Sequence, residues 1–163
     1  MATPTNLPAA QTTGNVLTAA YMNDLRGAFR VLQVIEGTNS TQITTTSTSY
    51  VTTNLSATIT PQSTTSKIFV ITNAQMGKDA TVFSGCYSGL FRGTVAGTLL
   101  QEAELYAGAN TTFGSQSLMI LDNPSTVSAT TYTVGYKTSS ASTLVYAHYG
   151  NRRGSIILME ISL

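Results

Sequence analysis

The chain has 163 residues, 42% of them hydrophobic and 9% charged, with a formal net charge of +1. That composition excludes a disordered stalk, which needs low hydrophobicity and high charge. Eight Lys and Arg against seven Asp and Glu leave neither a basic stripe for nucleic acid nor a polybasic patch for a membrane surface.

Solubility comes instead from 29 Thr and 17 Ser, and β-branched Thr favours strands. The length suits one domain with one core. Few charges keep identical copies apart, so self-association is expected. The single Cys86 forms no internal disulfide, which fits synthesis in a reducing compartment, and it reads as a small buried residue. No cationic start followed by an apolar run appears, and no apolar stretch reaches ~20 residues, so neither a secretory signal nor membrane insertion is expected.

Residues 1–14 form a polar arm with Pro4 and Pro8, either a frayed tail or an anchoring peptide laid on a neighbour. Thr18 is a candidate N-cap for a short helix, along which Tyr21, Met22, Leu25, Phe29 and Leu32 recur at helical spacing while Asp24 and Arg30 fall off the stripe. Gly27 weakens it by about 1 kcal/mol relative to Ala, so such a helix needs something to pack on, its own domain or copies of itself. Residues 1–35 are taken as arm and helix, and 36–163 as a β domain.

From Val31 the period turns to two. "VLQVIEG" and "SYVTTNLSATITP" read as strands, the second alternating Leu55, Ala57 and Ile59 with Ser56, Thr58 and Thr60 until Pro61 stops it. "TTSKIFVITNAQMG" sets Ile68, Val70 and Thr72 on one face and Phe69, Ile71 and Asn73 on the other, the pattern of a central strand. Six further runs, from "TVFSGCYSGLFRG" to "GSIILMEISL", are mostly bounded by Gly, Asn, Asp, Ser or Pro. Eight or nine strands with no second helix predict a mainly β, antiparallel sandwich of jelly-roll type. The last strand, apolar on both sides apart from Glu160 and Ser162, belongs in mid-sheet or under a neighbouring subunit.

Chemistry-bearing groups are few. His148 alternates with Leu144 and Tyr146, and one His makes no metal site of the usual kind. Glu102 and Glu104 project from one strand face, as on a solvated edge that discourages sheet pairing, rather than across a glycosidase cleft. "GCYSG" lacks nucleophile-elbow spacing, and no phosphate-binding loop occurs. No catalytic, cofactor-binding or metal-ligating residue is assigned. "YGNRRG" at 149–154 reads as a hairpin tip, with Arg152 and Arg153 free in solvent or docking on an acidic partner. Tyr87, Tyr106 and Tyr149 are candidates for stacking on sugars, against the commoner core or interface role.

"GNVLTAAYMNDLRGAFRVLQV" (14–34) resembles the N-terminal segment of bacteriophage virion appendage proteins, the tail-fibre, head-fibre or capsid-decoration type. "YVTTNLSATITPQSTTSKIFVITN" and "SIILMEISL" are similar to the β-rich module that follows it there. The resemblance implies a virion structural protein, commonly trimeric, attached to other virion proteins through its N-terminus with a β-sandwich head outward. Unlike long fibres, the chain has no shaft or coiled coil, which suits a short fibre or a decoration (cement) protein. The expectation is a non-enzymatic homotrimer located in the virion and made in the host cytoplasm. Its helix stripe would form the anchor and oligomer contact. The alternative is a receptor- or glycan-binding module directed at host surface glycan.

Overall fold

The computed structural model describes Thr18 and residues 31–79, 83–108 and 110–162. Ten strands follow one another: β1 (Val31–Asn39), β2 (Ile43–Thr45), β3 (Val51–Ile59), β4 (Lys67–Asp79), β5 (Ser84–Arg92), β6 (Thr98–Ala107), β7 (Thr112–Asp122), β8 (Thr130–Thr138), β9 (Leu144–Ala147) and β10 (Gly154–Ile161). All pairings are antiparallel. The first sheet, A, runs β1-β10-β4-β7, with β9 and β2 continuing beside the far half of β4; the second, B, runs β3-β8-β5-β6. With β9 counted as a continuation of β10 and β2 of β1, these are the two interleaved Greek keys of an eight-stranded jelly roll. The Thr-rich stretch from residue 41 to 72 supplies β2, β3 and the first half of β4.

Alternation decides which residues meet. In β3, Leu55, Ala57 and Ile59 turn inward while Ser56 and Thr58 face water. In β4, Ile68, Val70, Ala74 and Met76 do the same, with Thr72 buried among them. They meet Tyr132, Val134 and Tyr136 of β8 and Ile156 and Leu158 of β10 in one core. Each large aliphatic side chain buried there contributes about 1.5–3 kcal/mol. Cys86 is fully buried beside them, as expected, and burial pushes its thiol pKa up to about 12. Strand β10 lies in mid-sheet, and Glu160 shares the inward face of Ile156 and Leu158. Its buried carboxylate accepts from Gln33 Nε2 at 2.6 Å and the Gln62 amide at 2.7 Å.

Three readings are corrected. Leu32 lies in β1, half-buried, because pairing with β10 begins at Val31; a division at 35/36 would cut through that strand. Residues 149–154 are no hairpin tip, since β9 and β10 both pair with the same edge of β4. They form a kink inside one interrupted strand, around a 3-10 turn at Tyr149–Asn151. Third, His148 does not continue the β9 face of Leu144 and Tyr146: its φ of 56° swings it fully inside the sandwich.

Side chains close the kink. Asn151 Oδ1 accepts from the Gln42 amide at 3.1 Å and Gln42 Oε1 from the Gly150 amide at 2.7 Å, so the breaks in β1–β2 and β9–β10 are tied together. Beneath them β3 bulges between Thr52 and Leu55, with Asn54 at φ 61°. The Thr53 carbonyl accepts from Asn39 Nδ2 at 3.0 Å and lies 3.1 Å from His148 Nε2, which must donate to it.

Candidate functional site: two unlike outer faces

The outward side of sheet A is apolar in successive cross-strand rows. Val34, Met159, Phe69 and Leu121 stand side by side across β1, β10, β4 and β7, and the next row is Glu36, Ile157, Ile71 and Met119. Val31 and Ile161 extend the patch toward the start of β1. Val31, Val34, Met119 and Leu121 are each half exposed or more, and Phe69, Ile71, Ile157, Met159 and Ile161 are half-buried. The patch stops at a polar row of Thr38, Ser155, Asn73 and Ser117, where Asn73 donates to Ser117 at 2.7 Å and accepts from Ser115 at 2.9 Å. Glu36, its one carboxylate, is already paired with Arg153 Nη2 at 2.7 Å.

The outward side of sheet B has another chemistry. Gly89 and Gly135 face each other across β5 and β8, and a Cβ on Gly89 would come within 2.9 Å of both Tyr50 and Phe91. These two rings lie on bare backbone, edge to face with centroids 4.9 Å apart. Lys137 Nζ sits 4.4 Å from the Tyr50 centroid and 5.0 Å from that of Tyr87, and 3.1 Å from Glu102 Oε2. Glu102 also accepts from the Tyr50 hydroxyl. That bond holds the Glu102 carboxyl below its ordinary pKa, while burial and the same carboxylate push the Tyr50 phenol up, so proton and charge stay apart. Beside this cluster an open depression of about 500 Å³ is lined by Thr52, Asn54, Ser56, Thr94, Val95, Thr131 and Thr133.

The residues singled out by sequence fall as follows. Tyr21, Met22, Leu25 and Phe29 lie outside the described residues, and Leu32 is in β1. Arg153 holds Glu36, whereas Arg152 is exposed at the kink. Tyr87 and Tyr106 share the outer face of sheet B, but the Tyr87 ring is engaged by Lys137 and only Tyr106, 62% exposed, offers an open ring. Tyr149 is elsewhere, stacked on Phe113 at 3.6 Å. Glu102 and Glu104 both stand on β6, the outermost strand of sheet B. His148 Nε2 addresses the Thr53 carbonyl; its Nδ1 makes no hydrogen bond of ordinary geometry, and the Arg152 carbonyl acts on the ring only by favouring its protonated form.

Sequence reading did not find the apolar rows as a unit. The period-two alternation of "IFVI" and "IILMEI" was available, but only the pairing register shows that their outward halves adjoin Met119 and Leu121.

Connectivity and surface together define an antiparallel jelly-roll module with one apolar and one hydroxyl-rich outer face. Neither a family model nor a curated protein matches the sequence. Among solved structures the chain is similar to dimeric latent PorU from Porphyromonas gingivalis, at 10% identity and a TM-score of 0.42, over 82% of this chain and 14% of that one. It is also similar to infectious bursal disease virus, Gx strain, at 15% identity and a TM-score of 0.40, over 81% and 40%. The T13 particle of infectious bursal disease virus gives 12% and 0.39, over 80% and 37%. The chain spans less than half of each of these chains, and identities and scores at this level assign no function.

Proposed function

We propose that the chain is a non-enzymatic structural protein of a bacteriophage virion. It assembles as a homotrimer through the outer face of sheet A and is attached to the particle through its N-terminal residues, as a short fibre or a capsid decoration protein. The observation that carries this reading is the pair of apolar rows centred on Phe69 and Ile71. A sheet face of that kind is stable once covered, and the near-neutral surface offers little repulsion against a second copy. The resemblance of residues 14–34 and of the strands to phage appendage proteins supplies the virion setting.

Sedimentation of the full chain tests the assembly: a trimer is expected, and a monomer at micromolar concentration would overturn it. Deleting residues 1–13 tests the attachment. The head should fold and still be lost from particles imaged by electron microscopy, so normal incorporation would refute the anchor. The hydroxyl-lined depression and, at the other end of the same outer face, the open ring of Tyr106 favour a second reading, a module for host surface glycan, because hydroxyls and an open ring suit a neutral saccharide. Binding on a glycan array that is lost in Tyr106→Ala would favour it over a purely structural role.

A further inference from the structure

The outer face of sheet B already holds one ammonium group, and one end of that face repeats the arrangement with a serine where the lysine stands. We infer that this end, formed by Glu104, Tyr106 and Phe83, binds the protonated amine of an amino sugar, whose apolar face rests on the two rings. The inference rests on the glycan reading above and makes the sugar at the Tyr106 end aminated in place of neutral.

In the occupied arrangement Lys137 Nζ lies 3.1 Å from Glu102 Oε2, with the Tyr50 and Tyr87 ring centroids 4.4 and 5.0 Å away. A carboxylate and two ring faces give an alkylammonium an opposite charge, an acceptor and a contact for its methylenes. Two residues further along β6, Glu104 pairs with Tyr87 and accepts from its hydroxyl. The Glu104 carboxylate lies over Gly85, where a Cβ would collide with Oε1, and Gly85 is the register partner of Tyr106. Phe83, just ahead of β5, lays its ring beside Gly108, since a Cβ there would sit 3.3 Å from Phe83 Cε1. Carboxylate, first ring and second ring thus follow one another along β6 from Glu104 to Gly108, over roughly 14 Å.

Among the described residues no built-in cation serves this end. Just past β8, the residue two beyond Lys137 is Ser139, whose Oγ accepts from the Gly85 amide at 2.8 Å. Lys78 reaches the same end from inside the sandwich, fully buried, and donates to Ser84 Oγ at 3.2 Å and to the Gly108 carbonyl at 2.8 Å. Glu104 therefore pairs with no described Lys or Arg, whereas Glu102 does. Exposure selects the ligand. Phe83 is 73% exposed and Tyr106 62%, so the rings form an open shelf and not the enclosing cage that takes a quaternary ammonium. A shelf suits the flat apolar face of a pyranose, and Glu104 suits an amine with hydrogens to donate.

Nuclear magnetic resonance titration of the full-length protein tests this with two probes, the tetramer of glucosamine with its amines protonated and the tetramer of N-acetylglucosamine. The aminated tetramer should shift the Phe83, Glu104 and Tyr106 resonances and bind about fivefold more tightly than the acetylated one, the upper end for an exposed ion pair. That preference should vanish in Glu104→Gln, and Tyr106→Ala should weaken both tetramers. Both side chains are exposed, so circular dichroism should find the two variants folded. Equal affinity for the two tetramers, or a preference that survives Glu104→Gln, would overturn the amine site and leave the glycan reading standing. Binding of neither would overturn both at this end of the face. Choline bound at the same resonances as tightly as the aminated tetramer would also overturn the inference, because a bare cation would then suffice.

Discussion

Replacing Gly154 by Ala tests the buried kink with a single methyl group. A Cβ at Gly154 would lie 2.6 Å from His148 Cε1, 2.8 Å from its Nδ1 and 3.3 Å from the Asn73 carbonyl oxygen, against an ordinary separation of about 3.5–4.0 Å between carbon atoms. Gly154 is not at positive φ, so Ala is permitted by the backbone and the ring is the obstacle. The ring has no free direction. It is fully buried, carried by a left-handed residue and held by the Nε2 bond to the Thr53 carbonyl at 3.1 Å. Overpacking by one methyl costs about 1–3 kcal/mol, and tipping the ring aside forfeits a hydrogen bond worth about 1 kcal/mol. The expected loss is roughly 2–4 kcal/mol, a fall in Tm of roughly 5–15 °C for a chain of this length. Urea unfolding at fixed protein concentration measures it, and a double-mutant cycle assigns the cause. On a His148→Ala background the ring is gone, and the cost of Gly154→Ala should fall by at least about 1.5 kcal/mol. Equal cost on both backgrounds would refute the steric account, and a single variant within about 0.5 kcal/mol of wild type would refute the clash.

His148 also gives the fold an acid-sensitive term. Burial sets its imidazole pKa below the ordinary ~6.5, against the raising effect of the Thr53 and Arg152 carbonyls. The folded protein therefore keeps the ring neutral while the unfolded chain takes up a proton below ~6.5. Stability should fall as pH drops from there toward the folded pKa, by at most about 1.4 kcal/mol per pH unit. Urea midpoints at pH 7.5 and 5.5 should show a smaller drop in His148→Gln than in wild type, and parallel drops would contradict the assignment. Tyr132→Phe removes a buried hydroxyl that donates to Asp122 Oδ2 at 2.7 Å and leaves the carboxylate with Arg92 at 3.3 Å. Hydrogen bonds to charged groups contribute about 1.5–3 kcal/mol, so thermal unfolding should detect a loss of that order, and an unchanged Tm would mean that Arg92 and solvent compensate fully.

Much of the fold was legible because strand faces obey a period of two whatever the partner. Leu55, Ala57 and Ile59 inward, Ile68 and Val70 inward, and a mid-sheet final strand all follow from alternation and from apolar runs on both sides. Features set by long-range pairing were not legible. The three residues of β2 are too few to carry a pattern, and they count as strand only because Ile43–Thr45 pairs with β9. The inward turn of His148 comes from one positive φ that nothing in "VYAHYG" signals, and the same holds for the bulge that buries Thr53. At the candidate site, the solvated pair Glu102 and Glu104 on an outer strand was readable from spacing. The apolar rows needed register, because β7 contributes Met119 and Leu121 from fifty residues downstream of their β4 partners, about the size of the whole first half of the sandwich.

The side of the sandwich where β6 and β7 adjoin is guarded by one carboxamide. Strand β7 is the last of sheet A, and its Met119 amide is engaged by Gln101 Oε1 at 3.0 Å from β6 of the other sheet. A side chain thus occupies a donor that would otherwise invite an incoming strand. Shortening Gln101 to Ala would uncover that amide next to Met119 and Leu121 and give an added strand one more donor to pair with along that border.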